Sequence, residues 1–301
     1  MKKTVRLRSA SAGQALLIIL LVMAVVLTIA LSVASRSITD ITVSQKEEES
    51  ARAFSAAEAG VEQAIIGNTT AGSLDSGAEY AIETGRIEGN EFIFPSLLSA
   101  GEVAPVWFVA HDADGNQTCG SSYPCFTGSS LTVCWGASGT PSDGGTTPAV
   151  EVSMFYTTGS GGSTSTKIAR GAYDPNSSRR GSNRFDPAGG SCSIAGTDFA
   201  FSKTVNFSDF NPVVPNRTSS GEERGPQFAR LRILYNTDRG HPIGVSVVGG
   251  TNFPSQGTKI ESTGTVGETT RKIEFSRLFS DLPPIFDSAV FSGVGGITKS
   301  E

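Results

Sequence analysis

Residues 15–34 read ALLIILLVMAVVLTIALSVA, an apolar run in which only Thr28 and Ser32 are polar. These 20 residues, at about 1.5 Å rise each, span about 30 Å, the hydrocarbon thickness of a bilayer. No Gly or Pro interrupts them, so one unbroken helix satisfies every backbone group internally. A helix that is apolar all round needs lipid or other apolar helices about it. A cleaved secretory signal has a shorter apolar region, about 7–15 residues, although Ser32-Val33-Ala34 has the form of a cleavage box. A lipoprotein needs a Cys directly after the run, and the first Cys is Cys119. A retained anchor is the plainest reading.

Charge is arranged around this run. Residues 1–13 carry Lys2, Lys3, Arg6 and Arg8 and no acid. Residues 14–35 carry none, and residues 36–66 carry three bases against six acids. Bases before the span and acids after it predict a cytoplasmic N-terminus and an external body. The net charge of -5 argues against a general nucleic-acid binder, so no nucleic acid is expected as a partner. The pattern predicts an α+β protein in four stretches. They are a basic leader (1–13), a transmembrane helix (14–35), its amphipathic continuation (36–66) and a β-rich antiparallel extracytoplasmic head (67–301).

Between Ser35 and Ile66 there is no Pro, and Gly occurs only at Gly60. Helix formers fill the stretch. Ile38, Ile41, Ala51, Phe54, Ala57, Val61 and Ile65 recur at helical spacing, and Gly67-Asn68 offers a C-cap. The rod and its continuation therefore read as one helix of about 50 residues, roughly 80 Å long. The polar stretch Gln45–Glu49 breaks the stripe and argues against a coiled coil.

The basic leader, Gly13 ahead of the apolar run, the unbroken helix and Phe54-Ser-Ala-Ala-Glu-Ala-Gly60 together resemble type IV pilin-like proteins. The last segment is similar to the FxAAEAG signature of PilX-like minor pilins and type II secretion pseudopilins. The resemblance covers about the first 66 residues, with a looser echo in Ser262, Gly264 and Arg271. It implies cleavage by a prepilin peptidase between Gly13 and Gln14. It also implies a filament core of N-terminal helices shared with other pilin subunits, and helix-to-head packing through Phe54, Ala57, Glu58 and Val61. Two features depart from the major-subunit pattern: Ile18 stands where a Glu is usual, and Gln14 where Phe or Met is usual. They point to a minor subunit that primes, caps or functionalises a filament, held in the cytoplasmic membrane before assembly.

The body reads as short alternating runs separated by Gly, Ser, Thr, Asn and Pro. Ser130–Trp135 and Ala149–Tyr156 are expected to pair across a long loop. Ala229–Tyr235 and Ile243–Val247, flanking Asn236–Gly240, read as a hairpin. Further strands are expected at Ile260–Val266, Arg271–Phe275 and Ile285–Phe291, and Gly159–Thr166 reads as a flexible loop. No boundary to a second domain is visible within the body.

An even number of Cys in an exported body suggests disulfides among Cys119, Cys125, Cys134 and Cys192. Three pairings are open, and Cys119–Cys125 with Cys134–Cys192 is preferred. Asp112-Ala-Asp114-Gly-Asn116 has the alternating oxygen ligands that begin a calcium loop, but the rest of an EF-hand is missing. A polar turn is the plainer reading. Arg179, Arg180 and Arg184 read as a solvated loop or a small anion-contacting patch. GxSxG, HExxH and Walker-type motifs are absent, and His111 and His241 read as surface or loop residues, so no enzyme is expected.

Overall fold

The computed structural model describes residues 12–67, 69–160, 163–247 and 251–281. In chain order the elements begin with α1 (Ala12–Ile66), β1 (Ala71–Ser73), β2 (Glu79–Arg86), β3 (Glu91–Ile93), β4 (Val103–Trp107), β5 (Ala110–His111) and β6 (Gln117–Thr118). They continue with β7 (Ser130–Ala137), β8 (Ala149–Ser160), β9 (Ser163–Asp174), α2 (Ser177–Asn183), β10 (Asp186–Pro187), β11 (Cys192–Ile194) and β12 (Thr197–Asn206). The last are β13 (Gly225–Leu234), β14 (Ile243–Ser246), β15 (Gly257–Val266) and β16 (Thr269–Leu278). The chain thus joins one long N-terminal helix to antiparallel β-structure, an α+β fold. It divides into two compact units: one holds α1 through Glu83 with Glu261–Glu274, and the other Thr84–Ile260 with the chain from Phe275. The single 67–301 head read from sequence is therefore partitioned. The first unit recruits a segment almost 180 residues downstream in number, and no shift of composition marks the exchange.

In the first unit α1 runs 55 residues without a break, about 82 Å. Its threonine hydroxyls fold back onto the helix. Thr28 Oγ1 donates to Val25 O at 2.8 Å, and Thr39 and Thr42 do the same to Ser35 and Ile38. The Gly67 N–H donates to Gln63 O at 2.9 Å and closes the last turn. The accompanying sheet has the order β1-β2-β15-β16. Gly267, at φ +57°, makes the two-residue turn between β15 and β16.

In the second unit two five-stranded sheets, β10-β9-β8-β13-β4 and β11-β12-β7-β14-β3, share one core. The first contributes Val150, Val152 and Met154 from β8 with Leu231 and Ile233 from β13, and the second Val133, Trp135 and Ile243. β7 (Leu131, Val133, Trp135), β8 (Val150, Val152, Met154) and β13 (Ala229, Leu231, Ile233) send alternate residues into this core, as a two-layer sandwich requires. The indole of Trp135, fully buried, donates to Pro148 O at 2.9 Å.

Three strand expectations are corrected. Ser130–Trp135 and Ala149–Tyr156 lie in opposite sheets and face each other across the core rather than pairing. Likewise β13 and β14 are no hairpin: β13 pairs β8 and β4, whereas β14 pairs β7 and β3. Between them Tyr235 takes φ +71°, and Asn236 Nδ2 donates to Leu98 O (2.9 Å) and Arg239 O (3.0 Å). That anchored corner carries the chain from sheet to sheet. The Gly/Ser/Thr stretch around residue 160 extends β8 and β9 to the register pair Ser160↔Ser163 instead of ending them early. Alternation identifies the buried face of a strand and leaves its neighbour open. Ile285–Phe291 lies outside the described residues.

Cys119 pairs with Cys125 (Cα–Cα 5.3 Å), and Cys134 pairs with Cys192 (Cα–Cα 6.2 Å) across 58 positions of sequence. The second bridge ties β7 to the β11 edge beside Ile194 and Phe199. Replacing Cys134 and Cys192 together by Ala is expected to lower the unfolding free energy by about 4 kcal/mol on the chain-entropy account. Denaturant titration of the detergent-solubilised protein checks it, and a loss below about 1 kcal/mol contradicts it.

Candidate functional site

The feature that sets this chain apart is α1, and its two halves differ in what surrounds them. From Leu16 to Val33 every large apolar side chain is exposed, Leu16 at 63% and Val33 at 65%. This is one helix long and apolar enough to cross a membrane. Residues 35–48 are exposed on all sides. From Glu49 onward one face is covered by the sheet of the same unit.

That covered face is made of small residues. Ala53, Ala56 and Ala57 are fully buried, and Gly60 continues the row one turn on. Opposite them on β15 stand Gly264 and Ser262. A Cβ on Gly264 would overlap the Ala53 carbonyl oxygen and lie 2.6 Å from the Ala57 nitrogen, so strand and helix backbones meet directly. A Cβ on Gly60 would overlap Ser262 Oγ and come within 3.2 Å of the Tyr80 ring. Ser262 is itself fully buried, and its hydroxyl has no hydrogen-bond partner among the described residues. N-terminal to this seat the contact turns polar. Thr269 Oγ1 donates to Glu49 Oε2 at 3.0 Å, and Arg271 Nε donates to Ser50 Oγ at 2.8 Å. On the hairpin itself Lys272 pairs with Glu261, which raises the Lys272 ammonium above its ordinary range.

The expected packing set is corrected by this geometry. Ala57 is buried and Val61 half-buried, but Phe54 is 47% exposed and Glu58 is exposed. Phe54 stands one residue, about 100°, round the helix from Ala53. A phenyl ring at the seat would hold the helix off the strand, so only the small residues can occupy it. The signal for this face was the Ala53, Ala56, Ala57, Gly60 spacing, hidden beneath the more hydrophobic Phe54, Val61 and Ile65 stripe. Gly13 and Gln14 lie in the first turn of α1, and their side chains fall outside the described residues, as do residues 1–11.

In the second unit the sequence-selected polar residues serve the architecture. Asp112 Oδ1 accepts from the backbone N–H groups of Asp114 (3.0 Å) and Asn116 (2.8 Å), and Oδ2 accepts from Asn116 Nδ2 (3.3 Å). These bonds, the Asn116 backbone N–H foremost, hold the Asp112 carboxyl below its ordinary range. The result is an Asx-type turn closing the β5–β6 hairpin. Among the described residues no group of three or more His, Cys, Asp or Glu is placed to hold a metal ion.

Arg179 is no solvated loop residue. Its guanidinium makes a forked pair with the fully buried Asp174, at 2.7 and 2.8 Å. It also donates to Gly145 O and Thr147 O, and lies 3.8 Å from the centroid of the Tyr235 ring. Burial would raise the Asp174 carboxyl. The bonds from Arg179, the Asn176 N–H and Asn183 outweigh that and leave it lowered. Arg180 donates to Asp174 O and Pro175 O, and Arg184 takes the left-handed position that ends α2. Sequence reading passed over Arg217, whose buried guanidinium donates to the carbonyls of Glu222, Phe108, Phe126 and Pro226. Burial pulls its pKa down to about 10.

Both histidines are interior, not surface, residues. His111 sits between Trp107 (4.6 Å, edge-on) and Phe279 (4.0 Å, stacked). His241 Nδ1 accepts the Ala137 N–H at 3.0 Å. Burial lowers both below the ordinary 6.5. No family model, curated protein or solved structure matches this chain.

Two outcomes follow from these contacts. Gly264→Ala is expected to unseat residues 49–66 of α1, at a cost of about 2–3 kcal/mol for overpacking. Hydrogen exchange in Ala53–Gly60 then rises while the apolar half is unaffected; unchanged protection contradicts the seat. As to pH, a histidine whose folded pKa is depressed binds more protons when unfolded, so stability is complete above 6.5 and is lost as pH falls below it. Unfolding midpoints measured from pH 8 to 5 should fall in the acid half. His241→Gln, which can keep an acceptor for the Ala137 N–H, should flatten the slope.

Proposed function

We propose that this protein is a membrane-inserted structural subunit of the minor-pilin type, which primes, caps or functionalises a type IV pilus-like filament. The observation that carries the reading is the continuity of α1. One helix offers a bare apolar rod at one end and, without a break, a small-residue seat against its own sheet at the other. Such a rod can leave lipid for a bundle of similar helices at little cost, because one apolar surrounding replaces another. A plain anchor needs only the first 20 or so residues; it gives no reason for the helix to run on rigidly into the folded part.

In this reading the N-terminus starts in the cytoplasm, the body stands outside the cytoplasmic membrane, and prepilin peptidase cuts between Gly13 and Gln14. The partners are the membrane and other pilin subunits. The role is structural, without catalysis or a required cofactor. Ile18, where a major subunit carries Glu, favours a minor position, since no buried carboxylate has to find a partner in lipid. A type II secretion pseudopilin shares the same helix and is the second reading within the resemblance. A membrane-anchored surface or adhesive protein that never polymerises is the rival outside it.

The test is the mature N-terminus determined with and without the peptidase, together with fractionation of sheared filaments. Cleavage to Gln14 and recovery in the sheared fraction are expected. An intact leader in both backgrounds, with all protein left in membranes, would sink the proposal in favour of the plain anchor.

A further inference from the structure

The two disulfides of the second unit lie in unlike surroundings. Cys134–Cys192 joins strands 58 positions apart, with Cys134 buried and Ile194 and Phe199 packed about the bridge. Its less buried sulfur, Cys192 Sγ, lies 3.4 Å from the Phe201 carbonyl oxygen, which repels an incoming thiolate. Cys119–Cys125 instead closes a ring of sequence separation 6. Ser121, Ser122 and Pro124 within that ring are exposed. A ring so short holds together little that is distant in sequence, so opening it leaves the sandwich intact.

The two sulfurs of this ring also differ. Cys119 is half-buried and directly follows β6, whereas Cys125 is buried with Val109 and Ala110. Cys125 Sγ accepts the Ala110 N–H at 3.3 Å and lies 3.2 Å from Thr118 O. Ala110 and Thr118 are register partners across the β5–β6 hairpin, so the sulfur rests against both members of one pair. The backbone holds both cysteines without help from the bridge. Thr118, beside Cys119, is fixed by that pairing. The Cys125 N–H donates to Ser220 O at 3.0 Å, and the next N–H, of Phe126, donates to Phe108 O at 2.9 Å.

We propose that Cys119–Cys125 is a reversible thiol–disulfide exchange site, opened through Cys119 by a dithiol reductant, while Cys134–Cys192 is a permanent staple. A thiolate of the reductant attacks Cys119 Sγ, the sulfur within reach. A new S–S bond forms there, the ring bond breaks, and its electron pair leaves on Cys125 Sγ. The Ala110 N–H already points at that atom and stabilises the departing thiolate, which speeds its release. The reductant's second thiol then attacks its own sulfur in the mixed disulfide and sets Cys119 free. Two electrons pass to the chain, the reductant becomes a disulfide, and the two protons it gives up end on the cysteines. As a thiol, Cys125 donates its S–H to Thr118 O, so both forms of the buried sulfur have a partner. Because the hairpin and the Ser220 contact keep the thiols side by side, reoxidation is intramolecular.

The test uses the full detergent-solubilised chain under native conditions. It is treated with graded dithiothreitol, quenched with iodoacetamide and mapped by peptide mass spectrometry. Alkylation of Cys119 and Cys125 is expected at dithiothreitol levels that leave Cys134–Cys192 intact, with unchanged far-ultraviolet circular dichroism. Removal of the reductant in air should close the ring again. With glutathione, a monothiol that cannot resolve its own adduct, the mixed disulfide should sit on Cys119. In the single variants, Cys119 in Cys125→Ser should react with a maleimide at least about tenfold faster than Cys125 in Cys119→Ser. Reduction of both bridges together, or of Cys134–Cys192 first, would overturn the proposal. So would glutathione found on Cys125, since the buried sulfur would then be the one attacked. The first two measurements need no variant, so a variant that fails to fold leaves the proposal testable.

Discussion

Everything in the first unit depends on how closely a helix backbone can approach a strand backbone. At Gly264 the separation leaves no room for a methyl group beneath the turn Ala53–Ala57, and at Gly60 the Ser262 hydroxyl fills the place a side chain would take. Such proximity gains dispersion contact from main-chain atoms instead of large side chains. It also fixes register, because a strand or helix shifted by one residue would bring a Cβ into the gap. The polar clasp at Glu49 and Ser50 then sets which turn of the helix lies over the β15–β16 hairpin. Ser262 marks what this costs: a hydroxyl buried without a partner among the described residues, kept where an alanine would serve the packing alone.

The second unit solves a different problem, the crossing of chain between two sheets. Its corners are held by buried charge and amide groups rather than by short hairpin turns. Arg217 ties the distant carbonyls of Phe108 and Phe126 to those of Glu222 and Pro226 in its own stretch, and Arg179 with Asp174 fastens the loop after β9 to the Gly145–Thr147 stretch. A buried guanidinium is acceptable only when nearly all its donors are used, which is the case at both places. Removing either arginine would leave carbonyls unpaired in the interior, a loss larger than that of an exposed ion pair such as Glu48–Arg52.

These two cases show what a single sequence reveals and what it hides. The rod, the unbroken helix and the core faces of β7 and β8 were legible because each repeats a simple period: all-apolar, 3.6 or 2. The seat was not, since hydrophobic pattern ranks Phe54 above Ala53 whereas proximity of backbones ranks them the other way. Strand partners were missed for the same kind of reason. Leu231, Ile233, Ile243 and Val245 carry the alternation of a hairpin, and nothing in that alternation says whether the strands lie side by side or face to face. Arg217 stands between Asn216 and Thr218 in an undistinguished polar stretch, and only the fold supplies its four acceptors.

The exposed middle of α1 makes the last constraint plain. Residues 35–48 touch no covering surface, yet they are helical throughout. An isolated segment of that length is marginal as a helix in water, because the first turn must be nucleated at a loss. Here nucleation is supplied from both sides: the apolar rod is helical by necessity wherever lipid or other helices surround it, and the seat beyond Glu49 is held by its sheet. Propagation through the middle then adds one hydrogen bond per residue, and the absence of Gly and Pro keeps each step favourable. The stalk is therefore rigid only as long as both its ends are engaged. If the chain is the filament subunit proposed above, its passage from lipid into a helix bundle keeps that condition at every stage, an advantage that an unbroken helix has over a flexible linker.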